Sequence, residues 1–578
     1  VSLVIDLAPE IFTKNEREEL ADTLREKAMP LCLRWLDGEI KMANWRCVLT
    51  AGLALSAAVL DDAESLCRAE REFRLCQNVF QPDGSYAEGL QYGNYAAYAQ
   101  MLTWESLTRR LPALTQTLPI TPYALMPRWQ AASLFYRKTL SGWGSQPRPR
   151  SANFNDSAAI FRPSGDLLLH IAARGGEDFP QAASLARWLF DQLYTPVTEQ
   201  EPHNRASFGF VNDFGFLSLA LITKSAAPMS PNELSLGPVC AFSCGDVLVR
   251  DSWAAGRTTL AIHGGGDPLH APGHLHGDLN SFILTHNQER LFVDPGHSCY
   301  RNLIHVLEGA TTTHNTCTFS RDGGDLQQEE RLKTIQVEQQ TNLQRVFDPA
   351  TGEPASPVER GGQRLLAESI DGASAVVSEV SALYGDSVRE FTRCWLLCGS
   401  HVLFVIDRIV TAVPMKTTWN WLLNNRDSEL KLKLHSPDHL MARRAAAGIK
   451  IYHLGDACLS GPFYGYVHDA YHPQPNQLGE GQLGSGQPGS GRLVRWTEKR
   501  AAVERTIIHA IAVDDAARIA DWQLRSGANS IALESPAGKE VWELKSDEAN
   551  KHFSLCEAVT SRRFRLTPEK IFWKFTKA

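Results

Sequence analysis

The chain has 578 residues, 43% hydrophobic and 21% charged, which is the balance of a globular protein long enough for two or more large cores. A formal net charge of -7 excludes a global basic field of the kind that recruits nucleic acid. The 12 cysteines form no C-x-x-C pair, the closest spacings being Cys240 with Cys244 and Cys394 with Cys398, so zinc-ribbon and thioredoxin-like motifs are excluded and buried thiols are expected. No apolar run reaches membrane-spanning length. No signal peptide is visible, but the chain opens at Val1, so its absence carries no information on location.

From about Asn15 to Lys224 apolar residues recur at spacings of three and four. The segments NEREELADTLREKAMPLCLRWL, ANWRCVLTAGLALSAAVL, NYAAYAQMLTWESLTRRL and QAASLARWLFDQLY read as helices separated by short turns. Such helical hairpins suit an α/α array or toroid. Proline and serine break the pattern in SAAPMSPNELSLGP, residues 225–238, which is the expected boundary between a helical domain, 1–230, and a second domain, 231–578. Beyond it come short β-type runs such as DVLVR, TTLAIH, SFILTH, HVLFVIDRIV and RTIIHAIAV, which favour stacked antiparallel sheets. The GEGQLGSGQPGSGR stretch at 479–492 has linker composition and reads as a loop within the β region.

One part of the β region is unusually polar: residues 271–300 read APGHLHGDLNSFILTHNQERLFVDPGHSCY. SFILT and RLFVD read as a hairpin closed by the polar turn HNQE. If the strand pattern extends backwards, His274, His276 and Asp278 share one face. With Asp294 at the end of RLFVD and His314 in TTTHNTCTFS, His276 completes a nitrogen and oxygen set suited to zinc or a similar divalent ion. The competing interpretation is a set of hydrogen-bonded histidines near a sheet edge.

Three stretches together resemble the heparinase II/III-like polysaccharide lyases: NWRCVLTAG at 44–52, DGSYAEGLQYGNY at 83–95, and HLHGDLNSFIL with LFVDPG and THNT between 274 and 316. The resemblance implies an incomplete α/α toroid followed by an antiparallel β-sandwich, with the active site in the cleft between them. It implies cleavage of a uronic-acid-containing polysaccharide, of glycosaminoglycan or alginate type, by β-elimination. His274 would then be catalytic, and His276, Asp294 and His314 would hold a structural divalent metal ion, most readily zinc. Asn44 would neutralise the uronate carboxylate, and Tyr92, in the pattern E-G-x-x-Y, would transfer a proton. Tyr300 resembles a cleft tyrosine of the family.

Each assignment has a plainer counterpart. Asparagine before a helical run is commonly an N-cap, which applies to Asn44. Tyr86, Tyr95 and Tyr98 compete with Tyr92, and packing competes with catalysis for all of these tyrosines and for Tyr300. Glu88 is expected to orient its loop and start the following helix. Arg148 and Arg150 in SQPRPRSANFNDS are candidates to bind an acidic substrate, or else part of a solvated loop. Asn153 and Asp156 fall where the family has N-F-G-D-S, with Asn155 in place of glycine, and are expected at least to fix that turn. His270, His297 and His305 have no assigned role beyond surface or supporting hydrogen bonds. Relatives generally have more helical sequence before the asparagine than the 43 residues here, which leaves the distant substrate subsites open. The expected partner is an acidic polysaccharide, with no nucleic acid and no membrane span, for a monomer or homodimer in the periplasm or outside the cell, a cytoplasmic location remaining open.

Overall fold

A computed structural model describes residues 1–38, 41–140, 147–194, 218–265, 274–297, 303–322, 334–341, 348, 351, 361–435, 437, 439–468, 491–547, 552–570 and 572–578. A helical region comes first and a large antiparallel β region follows. The periodic segments fold as read: Lys14–Thr23 runs through one π turn into Met29–Leu36, and Asn44–Leu60, Leu90–Arg110 and Pro180–Leu193 form further helices. Thr13 caps the first of these with its side chain, and Glu16 returns the bond in a capping box. Asn44–Leu60 packs between its neighbours through Cys47, Leu53, Ala54 and Ala57, all fully buried. Small residues on this face let the helices approach closely. The last helical turn is Ile222–Lys224 and the first strand of the large sheet is Val239–Ala241; residues 225–238 form neither helix nor strand. A short hairpin, Leu134–Lys138 with Arg148–Ser151, interrupts the helical region. Among the described residues, no helix is long and apolar enough to cross a membrane.

The β region is organised by one long strand, Val402–Asn424. Its first half pairs with Val388–Cys398 and Ala502–Asp515, and its second half pairs with Cys317–Asp322 and Gly491–Glu498. The register shifts between Val410 and Met415, so the strand passes from one sheet into a second at that point. The sheets enclose a core that includes Phe282, Phe292, Trp395, Trp419 and Trp421. A third sheet of six strands, from Gln523–Ser526 to Trp573–Lys577, covers the outer face. Alternation along the strands shows this directly: Leu403 and Val405 face the inner core, while Phe404 and Ile406 pack with Trp542, Phe553 and Phe564 of the third sheet. Burial on both faces explains the nearly continuous apolar run HVLFVIDRIV. The glycine-rich stretch lies mainly in 469–490, outside the described residues, and the strands on either side of it, Ala457–Gly465 and Gly491–Glu498, pair with one another.

The two regions meet through polar contacts. Asp83 accepts from the Ser243 amide at 2.7 Å, and Trp129 Nε1 donates to Asp246 Oδ2 at 2.9 Å. The other oxygen of Asp246 pairs with His263 Nδ1 at 2.8 Å, and the His263 ring stacks on Phe154 of the helical region. Burial disfavours the charged imidazole, but Asp278 and Asp246 outweigh it and lift His263 to about 9. Because this exceeds the ordinary histidine value, the stabilisation is complete below about pH 6.5 and is lost as pH rises through about 9, amounting to roughly 3 kcal/mol at about 1.36 kcal/mol per unit. Urea unfolding of His263→Gln should therefore show a deficit against the parent chain at pH 6 that narrows above pH 9. A deficit independent of pH would show that the ring contributes packing alone.

Candidate active site and metal centre

The loop after strand Arg148–Ser151 carries the residue on which the site turns. Asn155 has φ 57°, the left-handed conformation that glycine favours and asparagine tolerates, which accounts for its standing where the family pattern has glycine. Its side chain clasps both regions, donating to the Ala87 carbonyl at 3.1 Å and accepting from the His276 amide at 2.9 Å. This positions Asp156, which is fully buried. One oxygen of Asp156 pairs with His274 Nδ1 at 3.0 Å; the other pairs with His276 Nε2 at 2.8 Å and lies 3.3 Å from His297 Nδ1. Burial opposes ionisation of Asp156, but His297, His274 and His276 together hold its carboxyl well below the usual range.

Residues 274–278 are not a strand, contrary to the expectation of a shared face; the strand begins at Ser281. They form a loop whose side chains converge because Asp156 and Asn155 fix it from the opposite side. The hairpin is as read, Ser281–His286 with Glu289–Phe292, and its turn places Asn287 and Gln288 at positive φ.

Asn44, Glu88, Tyr92 and His274 belong to one cluster. Asn44 is the first residue of its helix, the N-cap being Ala43, so it is not a capping residue. Its Nδ2 donates to Glu88 Oε2 at 3.0 Å, and the Tyr86 hydroxyl donates to the same oxygen at 3.1 Å. Glu88 therefore does not start the helix Leu90–Arg110, whose N-cap is Gly89; its carboxylate is spent on Asn44 and Tyr86. Gly89 has φ 91°, and a Cβ there would lie 2.5 Å from Ser157 Oγ, so only glycine lets the 153–157 loop approach this closely. Tyr92 stacks on His274 with ring centroids 3.9 Å apart and planes at 12°. Burial lowers the tendency of His274 to charge, but Asp156 and Glu88 raise it above its ordinary value. Of these side chains His274 is the most open, 19% exposed. It borders a cavity of about 320 Å³ lined also by Asp156, His276, Thr311 and Gln339.

His276, Asp294 and His314 come together as read, with one ligand atom from each within 4.8 Å of the others. Each has its second polar atom fixed. His314 Nδ1 donates to the Ala310 carbonyl at 2.9 Å, Asp294 Oδ1 accepts from the Gly296 amide at 2.9 Å, and His276 Nε2 is held by Asp156. His314 Nε2 and Asp294 Oδ2, 3.6 Å apart and both buried, have no hydrogen-bond partner among the described residues. Without an ion, burial and Asp278 push Asp294 up to about 7, while burial holds His314 down to about 4. A neutral imidazole, a carboxylate that resists ionising and two unsatisfied atoms aimed at one point are the environment that a divalent cation completes, and the nitrogen and oxygen donors suit zinc. The residues thus fit the expected ion.

Other expected residues fall differently. Arg148 and Arg150 are buried in their strand, at 5% and 2% exposure, not in a solvated loop. Asn153 is fully buried and accepts from Arg290. Tyr300 and His270, with the side chain of His305, lie outside the described residues. Asp156 exceeds the turn-fixing role expected of it, and His297 is buried beside it, not at the surface.

A helical region joined to large antiparallel sheets is the two-region α+β architecture also seen in heparinase III. Residues 251–477 match the family described as Heparinase II/III-like, C-terminal. A crystal structure of heparinase III is similar with a TM-score of 0.60 at 13% identity, covering 94% of this chain and 73% of that one. The heparan sulfate lyase HepC from Pedobacter heparinus gives a TM-score of 0.53 at 12% identity, covering 98% of this chain and 69% of that one. A search of curated protein sequences finds no significant match.

Replacing His314 by alanine should lower both bound metal and melting temperature, because an ion held here would join the turn before Cys317–Asp322 to the end of the hairpin. An ion held at 100-fold its Kd contributes about 2.7 kcal/mol. Full metal content and full stability in that variant would remove the ion from this site.

Proposed function

We propose that the protein is a polysaccharide lyase that cleaves a uronic-acid-containing chain by β-elimination. The observation that supports it most is the convergence of Asn44, Tyr92 and His274, drawn from two helices and a loop of the β region, around the buried carboxylates Glu88 and Asp156. In this reaction the C5 proton is taken by a base, the C4–O4 bond breaks, O4 is protonated, and a C4–C5 double bond remains. An amide carries two N–H groups. Glu88 takes one from Asn44, and the second is available to the uronate carboxylate, where negative charge grows as the C5 proton leaves. His274 Nδ1 pairs with Asp156 and the ring stacks on Tyr92, where a charged imidazole favours a phenolate. Tyr92 and His274 divide the acid and base roles. Arg148 and Arg150 add positive potential that favours an acidic chain. A zinc ion held by His276, Asp294 and His314 would act as an organiser of the fold behind the site.

The alternative of a glycoside hydrolase needs two carboxyl groups flanking the scissile bond. The helical-region candidates are already engaged: Glu88 by Asn44 and Tyr86, and Asp83 by Ser85 at 2.6 Å and the Ser243 amide. A panel of heparan-type, chondroitin or hyaluronan-type and alginate-type polymers should yield, from one of them, product with the ultraviolet absorbance of an unsaturated uronate. Reducing sugar without that absorbance would favour hydrolysis, and binding without turnover a silent carbohydrate-binding protein.

On the polymer that is cleaved, Tyr92→Phe should lose roughly three orders of magnitude in kcat with little change in binding. Asn44→Ala should lose about 2.7 to 4 kcal/mol of transition-state stabilisation. Near-normal turnover by Tyr92→Phe would transfer the proton-transfer role to another tyrosine or to His274.

A further inference from the structure

A second cluster of metal-ligating type lies at the far end of the hairpin strand, roughly 17 Å from Ser281 at about 3.3 Å per residue. His286, His401 and Asp514 place one ligand atom each within 4.8 Å of one another. They come from three connections: the end of strand Ser281–His286, the turn between Val388–Cys398 and Val402–Asn424, and the end of strand Ala502–Asp515.

The hydrogen bonds around the cluster fix both imidazole tautomers. Thr258 Oγ1 donates its proton to the Ser400 carbonyl at 2.6 Å, so toward His286 Nδ1, 2.7 Å away, it can only accept. His286 therefore carries its proton on Nδ1 and presents a lone pair at Nε2. His401 Nδ1 likewise donates to Glu540 Oε2 at 2.9 Å, and Glu540 is held in turn by Trp542 Nε1 at 2.9 Å. His286 is fully buried, and among the described residues neither its Nε2 nor that of His401 has a hydrogen-bond partner. A carboxylate behind one ring and a hydroxyl behind the other are the supports that orient histidines toward a metal. Asp514 supplies Oδ1, 4.0 Å from His401 Nε2, while its Oδ2 accepts from Trp522 Nε1 at 2.9 Å. Oδ1 also accepts from the Asp515 amide at 2.7 Å and pairs with Arg518 at 2.9 Å; Arg518 is half exposed and free to swing toward Asp515, which it also contacts.

We infer that His286, His401 and Asp514 form a second divalent-metal site, of the borderline-soft class that zinc represents, which ties both sheets of the central stack to the third sheet through Glu540. Two imidazole nitrogens and one carboxylate oxygen leave a fourth position for water in a tetrahedral shell. The ion would act on stability, since the site lies away from Tyr92 and His274.

The test loads the full chain with zinc, desalts it, and measures zinc per chain together with thermal unfolding. Wild type should hold about two ions, and His286→Gln, His401→Asn and His314→Ala about one each. The His314→Ala chain, lacking the first site, should still gain melting temperature on adding zinc. Zinc content in His286→Gln and His401→Asn equal to wild type would overturn the inference, as would a His314→Ala chain that neither binds zinc nor responds to it; either result would leave a bridging water, or a charged His401 between Glu540 and Asp514, as the occupant. Should both cluster variants fail to fold, the His314→Ala measurement decides alone.

Discussion

The site depends on one buried carboxylate. Desolvating Asp156 in a fully enclosed position is costly, and only groups that donate to its charged form can offset that cost. Three histidines of the β region surround it, and the loop that carries it belongs to the helical region. The two regions are thereby coupled by the same contact that orients the site. His274 and His276 both border the cavity and only His276 belongs to the candidate metal cluster, yet both rings are set by opposite oxygens of one side chain. Moving that side chain would turn both rings together.

The β region provides the rigid frame behind this contact. Arg393 and Asp407 form a fully buried pair at 2.6 Å, and a second nitrogen of Arg393 donates to the carbonyls of Asn280 and Asn315. Asn315 in turn donates to the carbonyls of Phe282 and Val293 and accepts from the Leu422 amide. Asn280 follows the histidine loop, Val293 precedes Asp294, and Asn315 follows His314. Arg393, directly and through Asn315, thus holds backbone near all three candidate metal ligands. Breaking a pair of this kind typically costs 3–5 kcal/mol, so geometry at the ligands is maintained by the core and not by the ligands themselves.

How legible this was in the sequence depended on locality. His276, Asp294 and His314 could be grouped because they sit in short recognisable motifs, and the helices could be read because their apolar spacing repeats. Asp156 could not be singled out: one aspartate in a polar turn has an ordinary explanation, and nothing local says that three histidines more than a hundred residues later require a counter-charge. The available signal was the excess of histidine over acid in the 274–297 segment. The burial of Arg148 and Arg150 was hidden for a similar reason, since arginine and proline in alternation resemble a loop until a partner strand is known. The third sheet layer was implicit in the doubly apolar strand at 402–410, whose pattern requires cover on both faces. His286, His401 and Asp514 are brought together only by the sheet topology.

Glu88 and Asp156 show how two buried carboxylates in one site come to differ. Asp156 is surrounded by imidazoles that can each carry a proton, and it stays ionised. Glu88 receives neutral donors, an amide and a phenol; burial raises it, and His274, Asn44 and Tyr86 only partly offset the rise. The divergence suits different tasks. A permanently charged Asp156 keeps His274 able to carry positive charge beside Tyr92. A carboxylate that burial raises can still orient the amide of Asn44 by accepting from it. The hydrogen bond from Asn44 Nδ2 to Glu88 places nitrogen and not oxygen on that side, so the pair also fixes the orientation of the amide. The carboxylate that serves as counter-charge is therefore placed behind the histidines, and the one nearest Asn44 is buried among neutral donors.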